Sequence, residues 1–345
     1  MTGEGRTGEL RALAWSHGVL SVQSFGAMLG PTSFVLPGGR QVSPFWIAPW
    51  AGEELPAEVD AMTAALRGEW PCVPFGYPFP AEDFPDRWDR AVEEGARRGP
   101  VHGYGSNAHW RFDPPRDDRI ALQIDYPADD PVRTLRRTVT PVPGEAAIDF
   151  TLVIEARRAC RLPVALHGCF ALPRATGMAR LQVPRFQTGR THPGKVEPGA
   201  ALYAQDSAFT DLASVPTRDG GSVDATRLPF DHGVEELLQL DHPDGPLHLV
   251  NEAEGYRVTF DWDRAMLPSV VLWYSNRGRT HAPWTGRNLV LGIEPACTAF
   301  GLSPETSCGD NPINRAGTPT ALELPAGDSV TIRYRIGVSD ADGSR

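Results

Sequence analysis

The chain has 345 residues, 41% hydrophobic and 22% charged, a balance that excludes intrinsic disorder over most of its length. Its net charge of -10 argues against a nucleic-acid-binding surface, which needs clustered Lys and Arg. The abundance of Gly (35) and Pro (33) implies many turns and few long helices. The opening MTGEGRTGELRAL mixes charges of both signs without an apolar stretch, so no signal peptide is expected there. No run approaches the ~20 apolar residues of a membrane-spanning helix. The five cysteines include no Cys-x-x-Cys pair, and they read as reduced thiols of a cytoplasmic protein, mostly core fillers.

In chain order, residues 33–36 form the first strand candidate. Pro56 suits the first turn of a short helix in which Val59, Met62 and Leu66 share one face. A second short helix is expected over 85–98, with Trp88 and Val92 inward and Gly99 ending it. Ile120, Leu122, Ile124 and Tyr126 alternate with Arg119, Gln123 and Asp125, and Ile148, Phe150, Leu152 and Ile154 alternate with Asp149, Thr151 and Glu155. A period of two is that of a half-buried antiparallel strand, and 141–144 reads as the hairpin turn between these runs. Further strands are expected at 163–170 and 258–262, and at 330–338, where Val330, Ile332, Tyr334, Ile336 and Val338 alternate with polar residues and Gly337. The near-continuous apolar run 269–274 implies a strand covered on both faces. Residues 173–224, rich in Gly, Pro, Thr and Arg, read as long loops. The expectation is one all-β domain over 1–345, a large antiparallel β-sandwich with an ordered core over roughly 20–340.

Three segments place titratable groups among apolar or glycine neighbours: His102-Gly103 with His109 and Trp110 following, Leu166-His167-Gly168-Cys169-Phe170, and Leu289 to Cys297 around Glu294. A carboxylate ending an apolar strand is costly to bury, and burial raises its pKa. Each also has a structural reading. His167 suits a satisfied strand-end histidine, His102 a plain turn, and Glu294 an ion pair with Arg277 or Arg287. The histidines lack the short ligand spacing of a zinc site, so no metal is expected.

Taken in order, these segments resemble the aldose 1-epimerase (galactose mutarotase) family. His102-Gly103 with Trp110, then His167 with Phe170, then Gly292-Ile293-Glu294 follow the family's order, at spacings of roughly 65 and about 130 residues. Phe230-Asp231-His232 is similar to its Asp-containing turn, and Gly39-x-x-Val42-x-Pro44 to its opening hairpin. Departures mark a divergent member. The family's Asn-Arg pair before His-Gly has no counterpart, Ser106 stands where some branches carry Arg, and Cys169 where the family has Tyr.

The resemblance implies a mutarotase-like supersandwich and a cofactor-independent isomerase of sugar anomers. Glu294 would act as base and His167 as acid, with His102, Asp231, Trp110 and Trp284 binding the sugar. The protein would be a monomer or homodimer whose partner is a small-molecule sugar, not nucleic acid or membrane. The alternatives are a non-catalytic carbohydrate-binding protein, or another carbohydrate enzyme on the same fold (a sugar-phosphate epimerase, lyase or hydrolase).

Overall fold

Strands dominate because the alternating runs can bury one face each only by pairing into sheets. The computed structural model describes residues 8–77, 84–88 and 99–342. A seven-stranded sheet runs in the order Ala208–Phe209, Thr188–Thr191, Val234–Asp241, Ser269–Asn276, Leu289–Cys297, Val164–Ala171, Glu69–Cys72. A nine-stranded sheet includes Ile120–Asp125, Val132–Pro141, Ala147–Ala156, Tyr256–Trp262 and Ser329–Asp340. Neighbouring strands in both sheets pair antiparallel. A four-stranded sheet, Leu10–Trp15 to Gln41–Val42, lies at the start of the described chain.

The two large sheets pack face to face. Leu166, Phe170, Leu272, Leu291 and Ile293 of one meet Phe150, Leu152, Phe260 and Ile332 of the other in one buried cluster. Phe170 and Phe260 cross this boundary edge to face at 6.2 Å. Alternation therefore sends the other residues of the seven-stranded sheet outward, and these are buried too. Trp70, Ala165, Cys169, Val271, Trp273 and Ala296 pack under Trp46, Trp50, Met62 and Trp284 from the overlying segments. That second covering explains why 270–274 is apolar on both faces.

The expected strands at 148–154, 258–262, 269–274 and 330–338 fall within observed strands, and those at 33–36, 120–126 and 163–170 overrun theirs by one residue at one end. Residues 141–144 open the turn joining the antiparallel pair Val132–Pro141 and Ala147–Ala156. The first helix is shorter than expected, Ala61–Ala65, because Asp60 caps it by accepting from the Thr63 amide. Of the second helix, 89–98 lies outside the described residues. The stretch 173–224 is not simply loop. It supplies Ala179–Gln182 to the nine-stranded sheet, and Thr188–Thr191 with Ala208–Phe209 to the end of the seven-stranded one. These strands are short and interrupted by Gly and Pro, so no period of two develops. Among the described residues, no helix is long and apolar enough to cross a membrane.

Candidate functional site

The outward face of the seven-stranded sheet carries the titratable cluster. The Val164–Ala171 and Leu289–Cys297 strands pair with Gly168 opposite Ile293 and Ala165 opposite Ala296, which sets His167 beside Glu294. The His167 Nε2 lies 3.4 Å from the Glu294 Oε1, closer than the sugar-width separation that acid and base on opposite sides of a ring would need. Both are buried, at 6% and 2% exposure. On the other side of His167 the register places Trp70, whose indole stacks on the imidazole at 4.1 Å and 13°. Trp273 meets the same imidazole edge to face at 5.8 Å, and the Cys169 Sγ lies 3.4 Å from its Nδ1. Gly292 leaves room for the carboxylate, since a Cβ there would come 2.6 Å from the Glu294 Oε1.

Burial pushes the Glu294 carboxyl well above its usual range. It pushes His167 well below the usual imidazole value, with the neighbouring His102 adding to the effect. Arg287 does not neutralise Glu294; it pairs with Glu53 at 2.6 Å. Among the described residues Arg277 makes no ion pair with it either, so the structural reading of Glu294 as half of an arginine pair does not hold.

His102 reaches the cluster from a tight turn. It adopts φ 59 and Gly103 φ 84, and a Cβ on Gly103 would lie 2.1 Å from the Val73 carbonyl oxygen, so only glycine fits. Ser106 fastens this turn by donating from Oγ to the His102 carbonyl at 2.8 Å. The His102 imidazole stacks on Phe75 at 5.0 Å and meets His167 edge to face at 5.3 Å. Among the described residues its buried Nδ1 has no hydrogen-bond partner. An unpaired buried nitrogen beside an acid–base pair is what a hydroxyl-bearing ligand would satisfy. Burial, the largest influence, and the more distant Arg279 hold His102 down at about 3 against an opposing pull from Asp60, so the ring is neutral at physiological pH.

Beyond Trp273 lies a polar group that sequence reasoning missed. Glu235, fully buried, accepts from the Trp273 Nε1 at 2.6 Å and from the Ser275 Oγ at 2.7 Å, and Arg279 Nε lies 3.0 Å from its Oε1. The Arg279 guanidinium sits over Trp284 at 4.6 Å and Trp273 at 5.6 Å. Strand parity on Val234–Asp241 could have pointed Glu235 outward with Leu237 and Gln239. Arg279, in a loop, left no such signal.

Of the expected sugar-binding residues, His102 and Trp284 are in this region. Trp284 packs edge to face against Trp50 at 4.6 Å and Trp273 at 6.0 Å. Asp231 is not brought to the cluster. It stands in the bend before Val234–Asp241, 81% exposed, paired with His232 at 2.6 Å, which holds its carboxyl below the usual range. Trp110 is a core residue. It is 2% exposed in the inter-sheet cluster and its Nε1 donates to the Gly105 carbonyl at 2.8 Å, so neither ring face is open to a ligand. His109 pairs with the Ser24 Oγ at 3.1 Å. Among the described residues no three His, Cys, Asp or Glu side chains are arranged to share a metal ion.

No family model matches this sequence, and no curated protein does. Solved structures do. The chain is similar to a galactose mutarotase related enzyme from Lactobacillus acidophilus (12% identity, 96% of this chain and 98% of that one, TM-score 0.60). It is also similar to a galactose mutarotase-like protein from Lactobacillus casei (13%, 96% and 100%, TM-score 0.60). A third likeness is to an aldose epimerase homologue from C. elegans (13%, 96% and 99%, TM-score 0.62). Identity at this level speaks to architecture, and the chain has the fold of the aldose 1-epimerase and galactose mutarotase-like proteins.

Proposed function

We propose that this protein is a cofactor-independent aldose 1-epimerase, opening and reclosing the hemiacetal of a free sugar. The observation that carries the reading is the 3.4 Å contact between His167 and Glu294 on a buried sheet face. In anomerisation one proton leaves the C1 hydroxyl and another reaches the ring oxygen as the C1–O5 bond breaks. Both oxygens are bonded to C1. An acid and a base in direct contact are therefore spaced to serve both from one edge of the ring. The open-chain aldehyde then turns about C1–C2 and closes on its other face with the protons reversed.

Burial raises Glu294 and lowers His167, so the pair holds one proton and no net charge around neutrality. Either placement of that proton leaves one donor and one acceptor toward the sugar, which is what the reaction needs. Burial rests the proton on Glu294; we assign its transfer to His167 as the sugar binds, so that Glu294 acts as the base and His167 as the acid for ring opening, the roles exchanging on closure. Neutral His102, with its unpaired Nδ1, is suited to hold a hydroxyl in place. A two-carboxylate hydrolase fits less well. Two other carboxylates on this face are already engaged, Glu235 by Trp273, Ser275 and Arg279, and Asp241 by Gln239, Ser269 and Arg190.

Polarimetry on freshly dissolved anomers of common aldoses tests the assignment, with wild type expected to speed their equilibration. Failure with every free aldose and sugar phosphate, while sugars still bind, would identify a non-catalytic binding protein instead. The pH dependence follows from the pair. Activity is lost on the acid side when a second proton enters, and that proton must go onto His167. Because His167 is held below its ordinary 6.5, kcat/KM is expected to stay level through neutrality and fall only below about pH 6.5. An acid limb centred at pH 7 or above would contradict this arrangement.

A further inference from the structure

We propose that Arg279 is a specificity-determining residue, its outer N–H fork reading a vicinal pair of hydroxyls on a neutral sugar, at the end of the ring remote from C1. This rests on the reading of the cluster as an aldose site and names what the site selects.

Four observations carry it. Trp273 spans the distance between the acid–base pair and Arg279, with its ring 5.8 Å from His167 on one side and 5.6 Å from the guanidinium on the other. A sugar with C1 at His167 and Glu294 that extends along this indole ends at Arg279. The guanidinium is fixed rather than trailing in solvent. Its side chain is 21% exposed, Nε lies 3.0 Å from fully buried Glu235, and its plane lies over Trp284 at 4.6 Å. Glu235 is itself held by Trp273 and Ser275. Among the described residues, no hydrogen bond uses the two outer nitrogens of Arg279, which leaves a planar fork of donors uncommitted. Lastly, the charge of Arg279 extends into the site, where it disfavours a proton on His102.

Charge decides between a diol and an anion. Glu235 offsets the guanidinium locally. An anionic substituent would meet a cation already paired with a buried carboxylate, whereas neutral hydroxyl oxygens need only the N–H donors, which pairing at Nε leaves intact.

The test is sugar binding by quenching of intrinsic tryptophan fluorescence, run beside polarimetry. The probes are glucose and galactose, their 2-, 3-, 4- and 6-deoxy forms, and their 6-phosphates. Arg279→Lys keeps a cation for Glu235, so the fold is retained, but removes the planar fork. It is expected to weaken binding of the preferred aldose and raise KM about tenfold, with kcat within about threefold. It should also erase the difference between that aldose and the deoxy forms lacking either hydroxyl of one vicinal pair. Arg279→Met, with its unfolding midpoint measured alongside, should weaken binding at least as much. Unchanged binding and KM in Arg279→Lys would overturn the proposal while leaving the epimerase reading intact. So would a 6-phosphate bound about tenfold more tightly than the free sugar through Arg279. Binding that depends on Arg279 without turnover would sustain it and remove the catalytic reading. Wild type that binds no sugar would remove both.

Discussion

Glu294→Gln is expected to lower kcat by about 10²–10⁴ while leaving the unfolding midpoint close to wild type. Glutamine keeps the length and planar end of the side chain that Gly292, by lacking a Cβ, leaves room for. It can still meet His167, 3.4 Å away, but it can neither hold nor release a proton at physiological pH. The fold loses little, because burial already penalises the charged carboxylate and a neutral amide avoids that penalty. The measurement is polarimetric kcat with a denaturation curve on the same preparation. Full turnover in Glu294→Gln would show that the base lies elsewhere. His102 would then be the next group to test, since Asp231 faces solvent.

The largest expected loss of stability is at Arg137. This side chain and Glu69 are both fully buried between the sheets as an ion pair. Arg137 also donates to the Ala27 carbonyl at 2.8 Å and the Glu69 carbonyl at 3.3 Å, and Tyr334 donates its hydroxyl to the Glu69 Oε1 at 2.7 Å. Arg137→Met preserves packing near Phe150, over which the guanidinium sits at 5.4 Å, but strands Glu69 without its counter-charge. Breaking a buried pair from one side costs about 3–5 kcal/mol, read as a fall in the guanidinium chloride midpoint. Arg137→Met with Glu69→Gln should recover part of that loss, because no buried charge is then unpaired. A single variant as stable as wild type would mean that the pair contributes nothing net. Trp70, the residue after Glu69, stacks on His167, so turnover should be followed as well.

The sandwich was legible because alternation survives in long strands. Ile148 to Ile154 and Val330 to Val338 each sort into a core face and an outer face, and the structure pairs these two strands directly. His167 and Glu294 stood out because a polar group in an apolar strand is conspicuous, and one register brings them together. Asp231 and Trp110 were misplaced for different reasons. A turn motif fixes where Asp231 lies in the chain but not where its side chain points. A tryptophan's composition is the same whether it walls a cleft or fills a core, and Trp110 fills the core. Glu69 and Arg137 passed unnoticed because each sits among neighbours that do not mark its partner, which is remote in sequence. Arg279 depends on loop geometry, which has no period to read.

The strand Val164–Ala171 borders two compartments at once. Val164, Leu166 and Phe170 face the inter-sheet core, and Ala165 and Cys169 share the outer face with His167. One stretch of backbone thus carries two independent mutational records, interleaved residue by residue. In a saturation library scored separately for soluble yield and for turnover per molecule, polar substitutions at 164, 166 and 170 should deplete yield. Those at 167 should deplete turnover more than yield. Lineages descending from this chain could therefore change the chemistry on one face by substitution and leave the other untouched. An insertion or deletion of one residue in the strand would exchange the two faces and remove both functions together.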